Sequence, residues 1–309
     1  MWIGALKDDD VSTNEVHGVG LFCGRGGRVR VEPPPRGASG LWIARPDVDG
    51  GGGVGAMPIS LAMVAGPGAD HSGWMKRADG RAIPVPPRNT TLVLGVTGSP
   101  VAATVEHVLS ALAGTGVWDA CIVLEGDEVP IDDGSALAFV ELAGHLKRAG
   151  LGGMGAADAE PIVLRERVEV RDANGAWIVG EPLDGVEYAY ELDYGPGAPI
   201  APQRAVWRGD SEEYAREIAP ARTFSLRAEA EAARAAGLFA HLTPAEMVVV
   251  GDDGLPMANA WRMENEPAKH KLLDLIGDLA LLGRPLHAKV TAHRSGHAMT
   301  HEFCRRVMG

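Results

Sequence analysis

Three side chains able to do metal and proton chemistry recur at four-residue spacing in Lys269-His270-Lys271-Leu272-Leu273-Asp274-Leu275-Ile276-Gly277-Asp278: His270, Asp274 and Asp278. The stretch reads as a helix, because Leu272, Leu273, Leu275 and Ile276 supply an apolar side that continues into Leu279 and Leu281. Residues four apart rise from one helix face, about 6 Å apart at Cβ. An imidazole and a carboxylate so placed can grip one metal ion, since the helix fixes both ligands before the ion arrives. The same spacing also occurs on solvated helix faces as a weak surface contact. Two ligands do not make a site, so a third must come from elsewhere in the chain.

Composition sets the frame for the elements that position these groups. A chain of 309 residues exceeds the usual single domain, so two domains are expected. Hydrophobic residues at 46% and charged residues at 23% are ordinary for a soluble globular protein with a core. A formal net charge of −12 argues against broad attraction to nucleic acid or anionic lipid, though not against a local basic pocket for one phosphorylated small molecule. Cys23, Cys121 and Cys304 lie far apart without CxxC spacing, which disfavours a disulfide framework or a thiolate zinc site and suits a reducing cytoplasm. Met1 to Glu15 carries Asp8, Asp9 and Asp10 and no apolar core flanked by basic residues. No signal peptide or transmembrane segment is read anywhere, so a cytoplasmic monomer is expected.

Along the chain, residues 17–32 read as two short strands around a glycine-rich turn, with alternation in Arg28-Val29-Arg30-Val31-Glu32. No helix with Lys-Ser/Thr follows those glycines, so a hairpin is favoured over a phosphate loop. Residues 36–85, rich in Gly and Pro and holding Gly50 to Gly53, read as loops with short strands. Thr90 to Leu94 is a strand. Thr104, taken as N-cap, opens a helix through Glu106, His107, Val108, Leu109, Ala111 and Leu112 that ends near Gly114 and Gly116. Ala120 to Leu124 is a buried strand, and a turn at Pro130 to Ser135 leads into a helix over 136–149. Gly150 to Glu160 is the expected linker.

The second half has strands at 161–170, 176–180 and 186–194, a helix near 210–218, a helix over 227–236 and a strand at 247–250. The metal-face helix runs over 266–282, and a strand follows at 286–293. Each half thus reads as a sheet with a helix pair late in the unit. The expected fold is α+β: an N-terminal domain at 14–150 and a C-terminal domain at 160–309, each a mainly antiparallel sheet with a helix pair, packed face to face with the site between them.

For the third ligand there are ten histidines. His17, His71, His145, His287 and His301 lie in loops or on ordinary amphipathic faces and read as solvated or satisfied core histidines. His107 differs, because Glu106 precedes it in the first turn of a helix. That pairing resembles half of a hydrolytic zinc site, in which an imidazole binds metal while the neighbouring carboxylate takes a proton from water. Three protein ligands and one open position is what a catalytic zinc needs. In Ala292-His293-Arg294-Ser295-Gly296-His297, Ser-Gly bends the chain after a strand and presents His297 on a loop. Such a histidine either lies exposed or donates a proton to a leaving amine, and Asp278 is the natural group to keep it charged.

Thr104-Val105-Glu106-His107, Glu128-Val129-Pro130-Ile131-Asp132-Asp133-Gly134-Ser135, Ala221-Arg222-Thr223-Phe224, the stretch from His270 to Asp278, and Ser295-Gly296-His297 occur in this order. Together they resemble the signature segments of the UDP-3-O-acyl-N-acetylglucosamine deacetylases, the zinc amidases of lipid A biosynthesis. The resemblance runs from about His17 to Met308. It implies that His107, His270 and Asp274 bind Zn(II), with Glu106 as general base. It further implies that His297 is the general acid, held cationic by Asp278, and that Thr223 stabilises the oxyanion. Phe224 and Leu92 would contact the substrate, and Lys271 would meet the diphosphate or nearby charge. An apolar passage for the acyl chain is likewise a family expectation. The substrate implied is a UDP-linked acylated amino sugar.

Three departures stand out. Phe22 occupies a position where the family usually has histidine, Ala240-His241-Leu242-Thr243 replaces a Gly-Gly-Ser segment, and Asn265 and Pro267 interrupt the acidic run before the metal helix. They bear on the substrate rather than on the chemistry. The residues therefore also accommodate the same chemistry on another acylated amino sugar, or a non-catalytic relative that binds the sugar nucleotide. Two imidazoles and a carboxylate accept Fe(II) or Co(II) as well as Zn(II).

Overall fold

The computed structural model describes residues 14–46, 54–64, 77, 80–81, 88–94, 99–151 and 160–309. The expectations for residues 1–13, Gly50 to Gly53, His71 and linker residues 152–159 lie outside the described residues. In the first half, strands β1 (Glu15–Val19), β2 (Gly26–Glu32), β3 (Leu41–Arg45) and β4 (Val54–Pro58) precede a small hairpin of β5 (Leu92–Leu94) and β6 (Ser99–Ala102). Helix α1 (Glu106–Gly114), strand β7 (Ala120–Glu125) and helix α2 (Leu137–Arg148) follow. A five-stranded sheet in the order β1-β2-β7-β3-β4 results, antiparallel except where β3 runs beside β7.

The second half begins with β8 (Ile162–Val163), β9 (Val168–Arg171), β10 (Trp177–Glu181), β11 (Val186–Leu192) and β12 (Gln203–Trp207). A short helix α3 (Ser211–Glu213) passes into a π turn at Tyr214–Ile218, and β13 (Phe224–Leu226), α4 (Arg227–Ala235) and β14 (Val248–Val250) make a separate β-α-β excursion. Helix α5 (Glu266–Leu279), strand β15 (Leu286–His293) and helix α6 (His297–Met308) close the chain. The six-stranded sheet runs β12-β11-β15-β10-β9, with β8 pairing on β15. The protein is α+β, with sheets mainly antiparallel and helices packed on them.

Sequence pattern accounts for the main elements. In β2, Val29 and Val31 turn to the core, while Arg28 and Arg30 alternate outward to pair with Glu15 and Glu125. In β15, Leu286, Ala288, Val290 and Ala292 are buried, with polar side chains between them. One contiguous apolar core runs from Val29 and Ile122 under the first sheet, through Leu109 and Leu112 of α1 and Leu272 and Ile276 of α5, to Val290 and Phe303 under the second.

Helix α5 is buried along almost its whole length because α1, β11, β12 and α6 all pack on it. Pro267 lies in its first turn, where the missing N–H costs nothing, and Gly283 at φ 76° stops the 3₁₀ turn that follows the helix. Gly277 is the point of closest approach to α1: a Cβ there would stand 2.1 Å from the Glu106 carbonyl oxygen. That bare backbone brings the start of α1 onto the middle of α5.

Several expectations are corrected. Thr104 is not an N-cap. Its left-handed φ of 57° places it outside the helix, and its hydroxyl donates to Glu128 Oε1 at 2.7 Å while accepting from Asn89. The single strand expected at 161–170 is two short ones, β8 and β9, and β12 was not expected. Residues 297–308 form α6, so His297 stands at a helix start rather than on a loop. That helix begins at Gly296 with no side-chain cap, which removes the usual start signal. No helix among the described residues is long and apolar enough to cross a membrane.

Candidate active site

The first turn of α1 and three turns of α5 meet at one buried cluster. Glu106 and His107 come from α1, and His270, Asp274 and Asp278 from successive turns of α5. One ligand atom from each of His107, His270 and Asp274 falls within 4.8 Å of the others. Both imidazole Nε2 atoms stand 3.6 Å from the same oxygen, Asp274 Oδ1. Ligand atoms bonded at about 2.0–2.1 Å in a tetrahedron lie roughly 3.4 Å apart, close to the two imidazole–carboxylate distances here.

His270 and Asp274 are in the protonation states that a metal ligand needs. His270 Nδ1 faces the Ala221 carbonyl at 3.1 Å; a carbonyl only accepts, so the proton sits on Nδ1 and the Nε2 lone pair is free. Burial pushes His270 down to about 3 against the pull of Asp274, with His107 and Lys271 adding to the fall. Burial works the other way on Asp274, but Lys271 at 2.9 Å and His270 hold it well below the usual carboxylate range. A neutral His270, a second imidazole from His107 and one carboxylate suit a divalent metal. His107 Nδ1 is buried without a hydrogen-bond partner among the described residues.

One turn further along α5 the arrangement changes. Asp278 Oδ2 accepts from His297 Nδ1 at 2.8 Å, and Asp278 Oδ1 accepts from the Thr90 hydroxyl at 2.5 Å. The other nitrogen of that imidazole, Nε2, lies 3.8 Å from Glu106 Oε1. Glu106 Oε2 in turn accepts the Thr90 backbone N–H at 3.0 Å. Burial lowers His297, but Asp278, then Glu106 and Asp274, raise it to about 10. Burial raises Glu106 to about 7 in spite of His297 and His107. The site thus holds a carboxylate poised to accept a proton near neutrality beside an imidazolium poised to give one.

Arg222-Thr223-Phe224 lies against the metal end. Ala221 supplies the carbonyl that orients His270, and the Phe224 ring stands edge-on to His270 with centroids 6.3 Å apart. Thr223 is pinned by its backbone, donating to the Gly134 carbonyl at 2.7 Å and accepting from Val248 N–H. Arg222 and Glu266 form a buried pair at 2.7 Å that ties this segment to the start of α5. Lys271 Nζ pairs with Asp274, and Lys271, Tyr190, Ser295 and His297 line a small cleft beside the two acids.

Leu92 lies in β5. Its side chain is fully buried in the hydrophobic core, two residues after Thr90. Two participants escaped the sequence reading. Thr90 precedes β5 with no motif to mark it. His301 stands four residues after His297 on the same face of α6, a spacing that goes unnoticed when α6 is not expected. The departures at Phe22 and His241 come together in a second apolar cluster. The Phe22 ring packs 5.6 Å from Phe239, and His241 Nε2 donates to the Gly20 carbonyl at 3.0 Å. The same loop is anchored by buried Glu128, which accepts from the Phe22 and Cys23 N–H groups and from Thr104 next to α1.

The model of the family described as UDP-3-O-acyl N-acetylglycosamine deacetylase (LpxC) matches residues 11–309. A protein of Chlamydia pneumoniae named UDP-3-O-acyl-N-acetylglucosamine deacetylase is 35% identical over 221 residues, 72% of this chain and 76% of its own length. One of Anaeromyxobacter sp. (strain Fw109-5) with the same name is 34% identical over 264 residues, 81% of this chain and 82% of its own.

Proposed function

The chain belongs to the LpxC family of UDP-3-O-acyl N-acetylglycosamine deacetylases, and from that premise we infer a hydrolysis whose steps its own side chains divide between them. The reaction is removal of acetate from the N-acetyl group of UDP-3-O-acyl-N-acetylglucosamine, a step of lipid A biosynthesis. The observation that supports this division is the convergence of His107 and His270 Nε2 on Asp274 Oδ1, at 3.6 Å each, beside a Glu106–His297 pair 3.8 Å apart.

His107, His270 and Asp274 would hold the metal, with zinc an ion that two imidazoles and a carboxylate suit. A metal held there would supply Lewis-acid polarisation of the amide carbonyl and a lowered pKa for water. Glu106, with its affinity for protons set near neutrality by burial, takes the proton from the attacking water. Thr223, fixed by its backbone next to the His270 anchor, would stabilise the oxygen on which negative charge develops. As the C–N bond breaks, the departing amine nitrogen takes a proton from His297, which Asp278 keeps charged and oriented. The products are acetate and the free amine. Every group in this scheme comes from one chain, so we take the monomer as the working unit. Three buried, unpaired cysteines are in keeping with a reducing cytoplasm.

The test is acetate release from UDP-3-O-acyl-N-acetylglucosamine by metal-loaded protein, with Glu106→Ala as the blank. Release that disappears in the variant supports the reaction and its base. One bound metal per chain without release would move the substrate to another acylated amino sugar. Full release by the variant would sink the role of Glu106.

A further inference from the structure

A second histidine stands one turn beyond His297 on α6, and no step of the proposed reaction uses it. His301 is only 5% exposed and turns inward to Asp278 rather than to solvent. The two oxygens of Asp278 have different partners. Oδ2 takes His297 Nδ1–H, and Oδ1 takes the Thr90 hydroxyl proton. The Thr90 oxygen lies 3.0 Å from His301 Nε2 and 3.3 Å from His297 Nδ1. A hydroxyl has one proton, and next to a carboxylate it donates that proton there. Towards His301 the Thr90 oxygen is therefore an acceptor, and His301 carries its proton on Nε2. The direct distance from His301 Nε2 to Asp278 Oδ1 is 3.5 Å, too long for a good hydrogen bond, so Thr90 is the link between them.

The chain of donors has a consequence for His297. Its Nδ1–H has two oxygens in reach, Asp278 Oδ2 at 2.8 Å and Thr90 Oγ1 at 3.3 Å. With His301 occupying the Thr90 oxygen and the hydroxyl turned to Oδ1, only Asp278 offers His297 a well-aligned acceptor. A ring that swung to Thr90 would carry Nε2 away from Glu106 and from the reacting nitrogen. We propose that His301 is a positioning residue for the deacetylation, acting through the Thr90 hydroxyl to lock the Asp278 carboxylate and hence the direction of His297 Nε2. The competing role is to fill space where α6 packs on α5. The two roles need different things: positioning needs the N–H, and filling needs the ring.

The inference rests on the reading of His297 as proton donor, so His297→Gln is measured alongside. His301→Phe keeps the ring volume and removes the donor, while His301→Gln places an amide N–H at about the reach of Nε2. Both are assayed as full-length, metal-loaded protein for acetate release. His301→Phe is expected to lower kcat about tenfold, the scale of one hydrogen bond, with KM within about twofold. His301→Gln should recover most of that loss. If Phe is harmless, or if Phe and Gln are equally impaired, His301 only fills space and the proposal is overturned while His297→Gln remains inactive. If His297→Gln keeps full kcat, the proton-donor reading itself fails and takes this one with it. Should His301→Phe not fold, Thr90→Val, which removes only the hydroxyl, must give the same fall in kcat at unchanged KM. A Thr90→Val protein with wild-type kcat would overturn the link.

Discussion

Two histidine–aspartate pairs lie along one face of α5 and its neighbours, and they end in opposite states. At the metal end, His270 is driven down to about 3; at the other, His297 is driven up to about 10. Both imidazoles are buried, which lowers each of them, so burial does not separate the two. The carboxylates do. Asp274 Oδ1 is 3.6 Å from each of two imidazoles, and its second oxygen is taken by Lys271 Nζ at 2.9 Å. Asp278 accepts a full hydrogen bond of 2.8 Å from His297, and Glu106 adds a second anion at 3.8 Å. A carboxylate shared among three basic groups leaves His270 neutral, as a metal ligand must be. One given over to a single imidazole at close range makes that imidazole an acid.

The comparison breaks most visibly at the metal end. His270→Ala should lose bound metal and lower kcat/KM by about 10³-fold or more, since Lewis-acid assistance is worth several kcal/mol. Stoichiometric metal in that variant by elemental analysis would remove His270 from the ligand set. Glu106→Ala, which sits between the two ends, should lower kcat by roughly 10²–10⁴-fold while metal content stays intact.

Asp278→Asn sharpens the contrast at the acid end. In the wild type, activity should fall as pH rises through about 10, where His297 gives up its proton. With the anion gone, that alkaline limb should move towards the ordinary histidine value of about 6.5, with kcat lower by about 10²-fold. Stability follows the same groups. The folded-state value of His297 is raised, so its contribution is complete below about 6.5 and is lost as pH climbs through about 10. Asp278 is lowered, mainly by His297 and His301 against the cost of burial, so its contribution is present above about 3.9 and is lost as pH falls. Denaturation midpoints measured against pH should therefore flatten in Asp278→Asn. An unmoved alkaline limb would mean that His297 is not the titrating acid.

The smallest effect tests what holds the two ends together. Gly277→Ala puts a Cβ 2.1 Å from the Glu106 carbonyl and should cost about 1–3 kcal/mol in chemical denaturation by forcing α1 away from α5. Unchanged stability would show that the helices can part without loss.

Much of this was legible in the chain. The bounds of β7, α2, α4 and β15 follow from periodicity within a residue or two, as does the start of α5 at Glu266. His270, Asp274 and Asp278 share a face because a helix repeats every 3.6 residues, whatever surrounds it. Helix α6 was missed for an equally local reason, the absence of a capping side chain at Gly296.

What only the tertiary structure decided is which groups share a proton. Thr90 meets Asp278 across 188 positions of sequence and His301 across 211, through contacts that no spacing rule encodes. The order of residues determined the kind of chemistry available: imidazoles and carboxylates at helical intervals, with a glycine where two helices must touch. Packing decided the protonation of each, because a charge buried in a low-dielectric interior is set by the one or two groups within about 4 Å of it, and those come from distant parts of the chain.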